Sequence, residues 1–211
     1  MRLDKLISEA ATHKLIGGQL CLDFANTLNG HDRATPHEYL RGYPDLVVWS
    51  RRADLLTDAE AERLLRVADE DTRKAASIYR QAIDLRETVF RIFSALALSR
   101  SPKAADIAAL NEARWEALNH STISARDGHY VMDWADKSAL DRMLWPIALS
   151  AAELLTSPHL ASVRECAGDR CDWLFIDTSR NHLRRWCSMA ECGNRSKSQR
   201  FLARQRKQRT R

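Results

Sequence analysis

Five cysteines occur in the 211-residue chain, at positions 21, 166, 171, 187 and 192, and the last four fall in one short segment. Cys166 and Cys171 have four residues between them, Cys187 and Cys192 also have four, and fifteen separate the two pairs. Two close cysteine pairs around an insert of that length can set four thiolates at the corners of a tetrahedron, the ligand set of one structural Zn²⁺ with Zn–S distances of about 2.3 Å. Four sulfurs saturate the ion and leave no position for water, so the expected chemistry is structural rather than catalytic. Two disulfides or unrelated free thiols are the alternatives. A reducing cytoplasm disfavours the first and the repeated spacing disfavours the second. Cys21, within Leu20-Cys21-Leu22, reads as a small core residue.

The paired cysteines stand in the basic part of the chain. Residues 1–158 carry 20 Lys and Arg against 23 Asp and Glu, whereas residues 159–211 carry 13 against 5. From Gly193 onward there are eight basic residues and no acidic one, a composition that attracts polyanions. Between the pairs, Trp173-Leu174-Phe175-Ile176 is a strand signal, the run from Asp177 to Asn181 is rich in turn formers, and Arg184-Arg185-Trp186 follows, which predicts a hairpin. Beyond Cys192 the composition predicts a helix over 196–207, opened by a capping-box-like Ser196 and Gln199. A knuckle, a hairpin and a helix in this order make a treble clef, in which metal binding and folding are coupled. On the helix, Lys197, Arg200, Arg204, Lys207 and Arg211 recur at threes and fours and form one cationic stripe suited to phosphates. Asn194 and Arg195, near its start, can read base edges. Phe201 lies to one side of the stripe and Leu202 to another, so one or both can anchor the helix on the hairpin.

The stretch Cys192-Gly193-Asn194-Arg195, preceded by Trp186-Cys187-Ser188-Met189 and followed by Lys197 and Arg200, resembles the CGNR-type zinc finger of bacterial proteins. Gly17-Gly18 and the following Leu20-Cys21-Leu22-Asp23-Phe24-Ala25-Asn26-Thr27 resemble the start of the ABATE domain that accompanies this finger. The resemblance spans nearly the whole chain. It implies a treble-clef zinc module that binds DNA, joined to an α+β domain with a sensing role in stress-related transcription regulation, and metal ligands at Cys166, Cys171, Cys187 and Cys192.

The remaining sequence supplies the scaffold, read as an α+β domain over 1–158 that is mainly helical with a small sheet, followed by the finger over 159–211. Loose alternation predicts a strand over 20–24, followed by a turn at Asn26, Asn29 and Gly30. Asp23 and Asn26 are candidate contacts for a small ligand, with turn capping as the alternative. A short helix is expected near 45–50 and another from Asp58, with Leu64, Leu65 and Ala68 inward. Apolar residues at threes and fours predict a long core helix over 72–99, stopped by Ser101-Pro102, and a further helix over 103–118. Arg126-Asp127-Gly128 between two alternating runs predicts a hairpin over 121–134. A last helix over 138–155, bent at Pro146, closes the core. Ser157-Pro158 then forms a joint too short to be a flexible tether, so the two parts should pack together.

The functional expectation is a zinc-dependent, DNA-binding transcription regulator whose N-terminal domain acts as sensor or partner module. The rival readings are a zinc module for RNA or an acidic protein surface, and a small-ligand domain that the finger merely localises. A homodimer and an unknown small-molecule effector stay open. The longest runs without a charged residue, among them Met143 to Ala152, are ten residues, far short of the roughly 20 that cross a bilayer, so a cytoplasmic protein without a membrane partner is expected. No phosphate loop, dinucleotide fingerprint, nucleophile elbow or metalloprotease helix is present, and no enzyme is expected. Asn181-His182 could serve a nuclease only with a second metal-binding His or carboxylate after Gly193, and there is none. His31, Asp32 and His37 read as solvated loop residues rather than a metal cluster.

Overall fold

A computed structural model describes residues 8–31 and 33–209, except for the side chains of 204 and 206–209. Its axis is α4 (Thr72–Ala97), the long helix predicted from periodicity. Asp71 caps it, its carboxylate accepting from the Lys74 amide at 2.8 Å, and Ala75, Ile78, Ala82, Leu85, Val89 and Phe93 form its buried stripe. Around α4 pack α1 (Leu20–Ala25), α2 (Tyr43–Arg52), α3 (Asp58–Glu70), α5 (Ala104–Asn119) and α6 (Leu144–Thr156). The strands are minor: β1 (Leu28–Asn29) pairs with β2 (His37–Glu38), β3 (Ser121–Arg126) with β4 (His129–Trp134), and β5 (Val163–Glu165) with β6 (Leu174–Ile176), all antiparallel. The fold is therefore α+β and mainly helical, with small two-stranded sheets.

Local chemistry fixes several boundaries where the sequence put them. Thr57 and Glu60 form a complete capping box that starts α3, and the second Glu60 oxygen accepts from buried Arg142 at 2.8 Å. Asp127 and Gly128, with φ of 50° and 80°, make the two-residue turn of the β3–β4 hairpin.

Three expectations need correction. The run 20–24 is the helix α1 and not a strand, because Cys21 through Ala25 are all buried and a short apolar run enclosed on every side carries no decisive period. The last core helix starts at Leu144, since the carboxylate of Asp136 captures the Ser138 amide and hydroxyl at 2.7 and 2.6 Å in a turn. Pro146 therefore falls in the first turn of α6, where its missing N–H costs no helical bond, and it begins the helix instead of bending it. His31 is not solvated: its ring stacks on Phe90 with centroids 3.4 Å apart, and its Nδ1 lies 3.0 Å from Glu87. His37 is half-exposed beside Glu9, and Asp32 lies outside the described residues.

The two halves of the chain share a strand. Val163, Leu174 and Ile176 belong to the same apolar core as the helices. One edge of β6 pairs with β5, and its other edge meets the segment around α1. The Ile176 amide donates to the Gly17 carbonyl at 2.9 Å, and the Asn26 side chain both donates to the Leu174 carbonyl at 2.9 Å and accepts from its amide at 2.8 Å. A primary amide thus acts as the missing neighbour of a buried strand. Asp23 holds the approach by accepting from the Gly17 amide at 2.7 Å. Gly17 is required there, since a Cβ would sit 2.9 Å from the Asp23 nitrogen. Further along, Asp172 accepts from the Gly30 and His31 amides at 2.9 and 2.6 Å, and Ser94 of α4 donates to Glu165 of β5 at 2.5 Å.

Behind Asn26, buried His13 completes the junction. Its Nε2 lies 2.9 Å from the Asn26 carbonyl and its Nδ1 accepts from the Trp49 indole at 3.2 Å, so the ring is neutral with the proton on Nε2. Burial lowers the His13 pKa from 6.5 to about 4, and burial raises that of Asp23 from 3.8 to about 6. The two signs oppose. Below pH 6.5 the unfolded chain protonates His13 before the folded chain does, which costs stability, while below pH 6 folded Asp23 takes up a proton before the unfolded chain does, which restores it.

Replacing Asp23 by Asn removes the compensation, so the variant should lose about 2 kcal/mol between pH 8 and pH 5 while these groups change the parent by less than about 1 kcal/mol. Urea unfolding at the two pH values reads the difference. Asn26→Leu should cost about 2–4 kcal/mol at pH 7, because it leaves both polar groups of Leu174 buried without partners; urea midpoints of the zinc-loaded protein measure it.

Candidate metal centre

The first cysteine pair sits at the tip of the β5–β6 hairpin. Cys166 follows β5 directly and its amide donates to the Trp173 carbonyl at 2.9 Å, while the Cys171 amide closes the tip on the Gly168 carbonyl at 3.0 Å. A Cβ at Gly168 would lie 3.3 Å from the Cys192 Sγ and 3.4 Å from the Cys166 Sγ, so glycine leaves room for the sulfurs to meet.

The second pair is delivered by a loop and a turn. Asp177, almost fully buried, accepts from the Ser179 amide and hydroxyl at 2.9 and 2.6 Å and from the Arg184 amide at 2.8 Å. Burial raises its pKa, but these donors outweigh that and hold the carboxyl below its usual value. Arg184 lies over Phe175 at 4.5 Å and donates to the Trp186 carbonyl at 3.0 Å and to that of Cys187. The Cys187 amide then points at the Cys166 Sγ, 3.3 Å away. A five-residue π turn, Met189–Gly193, carries Cys192 straight into α7 (Asn194–Arg209). Its cap is Ser188, whose hydroxyl accepts from the Glu191 amide at 3.3 Å.

The donor set fits zinc. All four Sγ atoms lie within 4.8 Å of one another, and two of the contacts, Cys171 to Cys187 and Cys187 to Cys192, are 3.6 and 3.7 Å. The edge of a ZnS₄ tetrahedron with bonds of about 2.3 Å is about 3.8 Å. The sulfurs are buried in an apolar shell of Trp173, Phe175 and Trp186, to which Ile16 and Tyr39 are added from the helical part.

The ABATE family, described as "Putative stress-induced transcription regulator", matches residues 18–158. The chain belongs to the ABATE family. A CGNR zinc finger matches residues 162–205, which contain all four sulfurs. No curated protein matches the chain. In this ABATE chain Cys166, Cys171, Cys187 and Cys192 form the site of one structural zinc ion, which when bound cross-links the hairpin tip to the start of α7.

The basic residues proposed from the sequence fall beside this centre. Asn194, Arg195, Lys197 and Arg200 are exposed in the first turns of α7. The Asn194 amide reaches back to the Ala190 carbonyl at 3.1 Å, and Arg200 packs 5.9 Å from the Trp186 ring centre. Arg204 and Lys207 belong to the backbone of α7, their side chains outside the description, and Arg211 lies outside the described residues. Asp23 and Asn26 stand at the β6 junction, engaged by backbone groups.

Details of the finger depart from expectation. The strand partner of 174–176 is β5 and not Arg184-Arg185-Trp186, whose link to the knuckle is one bond from the Ala167 amide to the Arg185 carbonyl at 2.8 Å. The helix starts at Asn194, with Ser188 and not Ser196 as the cap, because the turn holding Cys192 runs into it without a break. The Ser188-Met189-Ala190-Glu191 pattern carried this signal. Phe201 and Leu202 are 60% and 54% exposed and do not anchor the helix. Arg185, which lies 5.6 Å from the Trp186 ring centre, was not foreseen as part of the cationic surface.

Cys187→Ser should lower bound zinc well below one ion per chain and remove stabilisation on the order of 10 kcal/mol from the finger. Because β6 lies in the common core, chelation should also lower the melting temperature of the helical part; metal analysis with thermal unfolding followed by circular dichroism checks both. Gly168→Ala should weaken zinc affinity while retaining all four ligands, measurable by competition with a chromogenic chelator.

Proposed function

We propose that this ABATE-family protein is a transcription regulator of the cytoplasm that binds duplex DNA through its finger, residues 159–211, while residues 1–158 form the sensing or partner domain. The carrying observation is the zinc-held turn from which α7 emerges with Asn194, Arg195, Lys197 and Arg200 all exposed. A cysteine pair on a knuckle followed by a pair leading into a helix is the ligand order of a treble clef. In that arrangement the first turns of α7 face the groove, where Asn194 and Arg195 have the donors and acceptors for base edges. Lys197, Arg200, Arg204, Lys207 and Arg211 line the phosphates, and Arg185 joins them across Trp186.

The sulfur set leaves no coordination position for substrate, so the reading is not enzymatic. Among the described residues no helix is long and apolar enough to cross a membrane. A single basic helix gives limited affinity, and a homodimer on paired half-sites would supply the rest. Structured RNA and acidic protein surfaces are the competing partners for the same cations.

Fluorescence anisotropy with duplex DNA at graded salt tests the proposal. Engagement of about four phosphates gives a slope of about −3.6 in log K against log salt. Arg200→Ala with Arg204→Ala should reduce the slope by about 1.8 and leave zinc content unchanged. Salt-independent binding, or tighter binding to structured RNA than to every duplex in a genomic selection, would overturn it.

A further inference from the structure

The β3–β4 hairpin turns its apolar face to solvent. Its register sets Ile123 opposite Met132 and Ala125 opposite Tyr130, so these four side chains share one face. On that face Ile123 is 80% exposed, Tyr130 81% and Met132 62%, whereas Ser124, Val131 and Asp133 of the opposite face are partly buried. A sheet that covers only one of its faces normally covers the apolar one. Among the described residues no other strand pairs with β3 or β4, and a Cβ added at Gly128 in the turn would meet nothing within 4 Å, so the hairpin ends in a projecting arm. Two strands alone are marginally stable in water, and a large apolar patch on them marks a contact surface.

Beside the arm lies a groove of about 470 Å³ between α5, α6 and β4, walled by Ile107, Leu110, Leu118, Leu149 and Leu155. Met132 lines it as well, so the apolar face of the arm and the groove form one continuous surface. Helix α5 widens that surface, since it buries only Asp106, Leu110 and Ala117 and leaves Trp115 65% and Leu118 40% exposed. A protrusion and a groove side by side on one face suit a two-fold pair, in which the arm of each copy enters the groove of the other. The charges agree with this. Arg126 and Asp127 at the tip and Arg114 and Glu153 at the groove offer one charge of each sign, and none of the four side chains has a partner among the described residues. The rings of Tyr130 and Trp115 alone expose roughly 300 Å². With the aliphatic side chains and the groove walls, a seated arm covers an area on the order of the roughly 800 Å² per partner that a stable dimer needs.

We propose that two copies of this chain pair by exchanging arms, the β3–β4 hairpin of each lying in the α5–α6 groove of the other. Ile123 and Tyr130 enter the groove, and Met132, which belongs to both the arm and the groove, lies near the two-fold axis. This assigns the face of the homodimer invoked above for paired half-sites, and it rests on that reading only for its consequence at DNA. No residue of the finger takes part, so the pairing uses none of the exposed cations at the start of α7.

Sedimentation equilibrium of the zinc-loaded full chain without DNA, from about 1 to 100 µM, reads the association. The mass of two chains should predominate at the upper end and fall toward one on dilution. Ile123→Thr with Tyr130→Ser, both at exposed positions, should weaken association about 100-fold while zinc content and helical circular dichroism are retained. Ala152→Gln, on the groove wall, should weaken it about tenfold with the arm intact. Hydrogen exchange should show protection that rises with concentration over 121–134 and along the groove sides of α5 and α6. A single-chain mass at the highest concentration would overturn the interface and leave the face to another occupant. A dimer unmoved by both variants, or protection confined to the finger, would overturn it equally. A dimer that binds no duplex would overturn the finger reading alone, and duplex binding by a chain that stays monomeric would overturn the interface alone.

Discussion

A buried strand must find partners for the backbone groups on both of its edges, and β6 meets this requirement with pieces from opposite ends of the chain. Its three residues are all buried. Its first edge takes β5, the strand that leads to Cys166, and its second takes the Gly17 carbonyl and the amide of Asn26. The zinc-binding knuckle is therefore the projecting tip of a hairpin whose base lies inside the helical core. Hydrogen bonds from Gly17 and Asn26 beside α1 and from Ser94 of α4 therefore tie the cysteine-bearing hairpin to the helical core.

The orientation of α7 has a different origin. This helix offers the protein almost no apolar surface, and its two large hydrophobic residues, Phe201 and Leu202, face solvent. Among the described residues it is aimed by its N-terminal part: Cys192 in the π turn, the Ser188 cap, Gly193 buried beneath Met189 and Trp186, the bond from Gln199 to Asp169 of the knuckle at 3.2 Å, and the contact between Trp186 and Arg200. A cationic helix held at one end keeps its side chains free for an external anion. The metal centre thus substitutes for the hydrophobic face that usually docks a helix.

Charge is divided along the chain as well as packed in space. The finger carries the positive excess, while residues 1–158 carry more acidic than basic side chains. The same domain buries Arg86 in a bidentate pair with Glu38 at 2.7 and 2.8 Å, so its chemistry is able to pair acids with bases where packing demands it.

The cysteine spacing alone named the ligand set, because a metal site on short knuckles needs little beyond the right atoms at close separations. Local rules likewise fixed α3 through Thr57 and Glu60, α4 through its period, and the β3–β4 turn through Asp127 and Gly128. The identity of α1 as a helix, the partner of β6 and the work of Asn26 were not legible. A short run buried on every face has no period to read, and Asn26 meets Leu174 across 148 positions of sequence. What the sequence determined by itself was the chemistry available at each position and the patterns that act within a few residues. Which atoms stand opposite one another was decided by tertiary packing, because hydrogen bonds and apolar contacts depend on distance in space, and only the closed core brings the distant donors, acceptors and side chains into range.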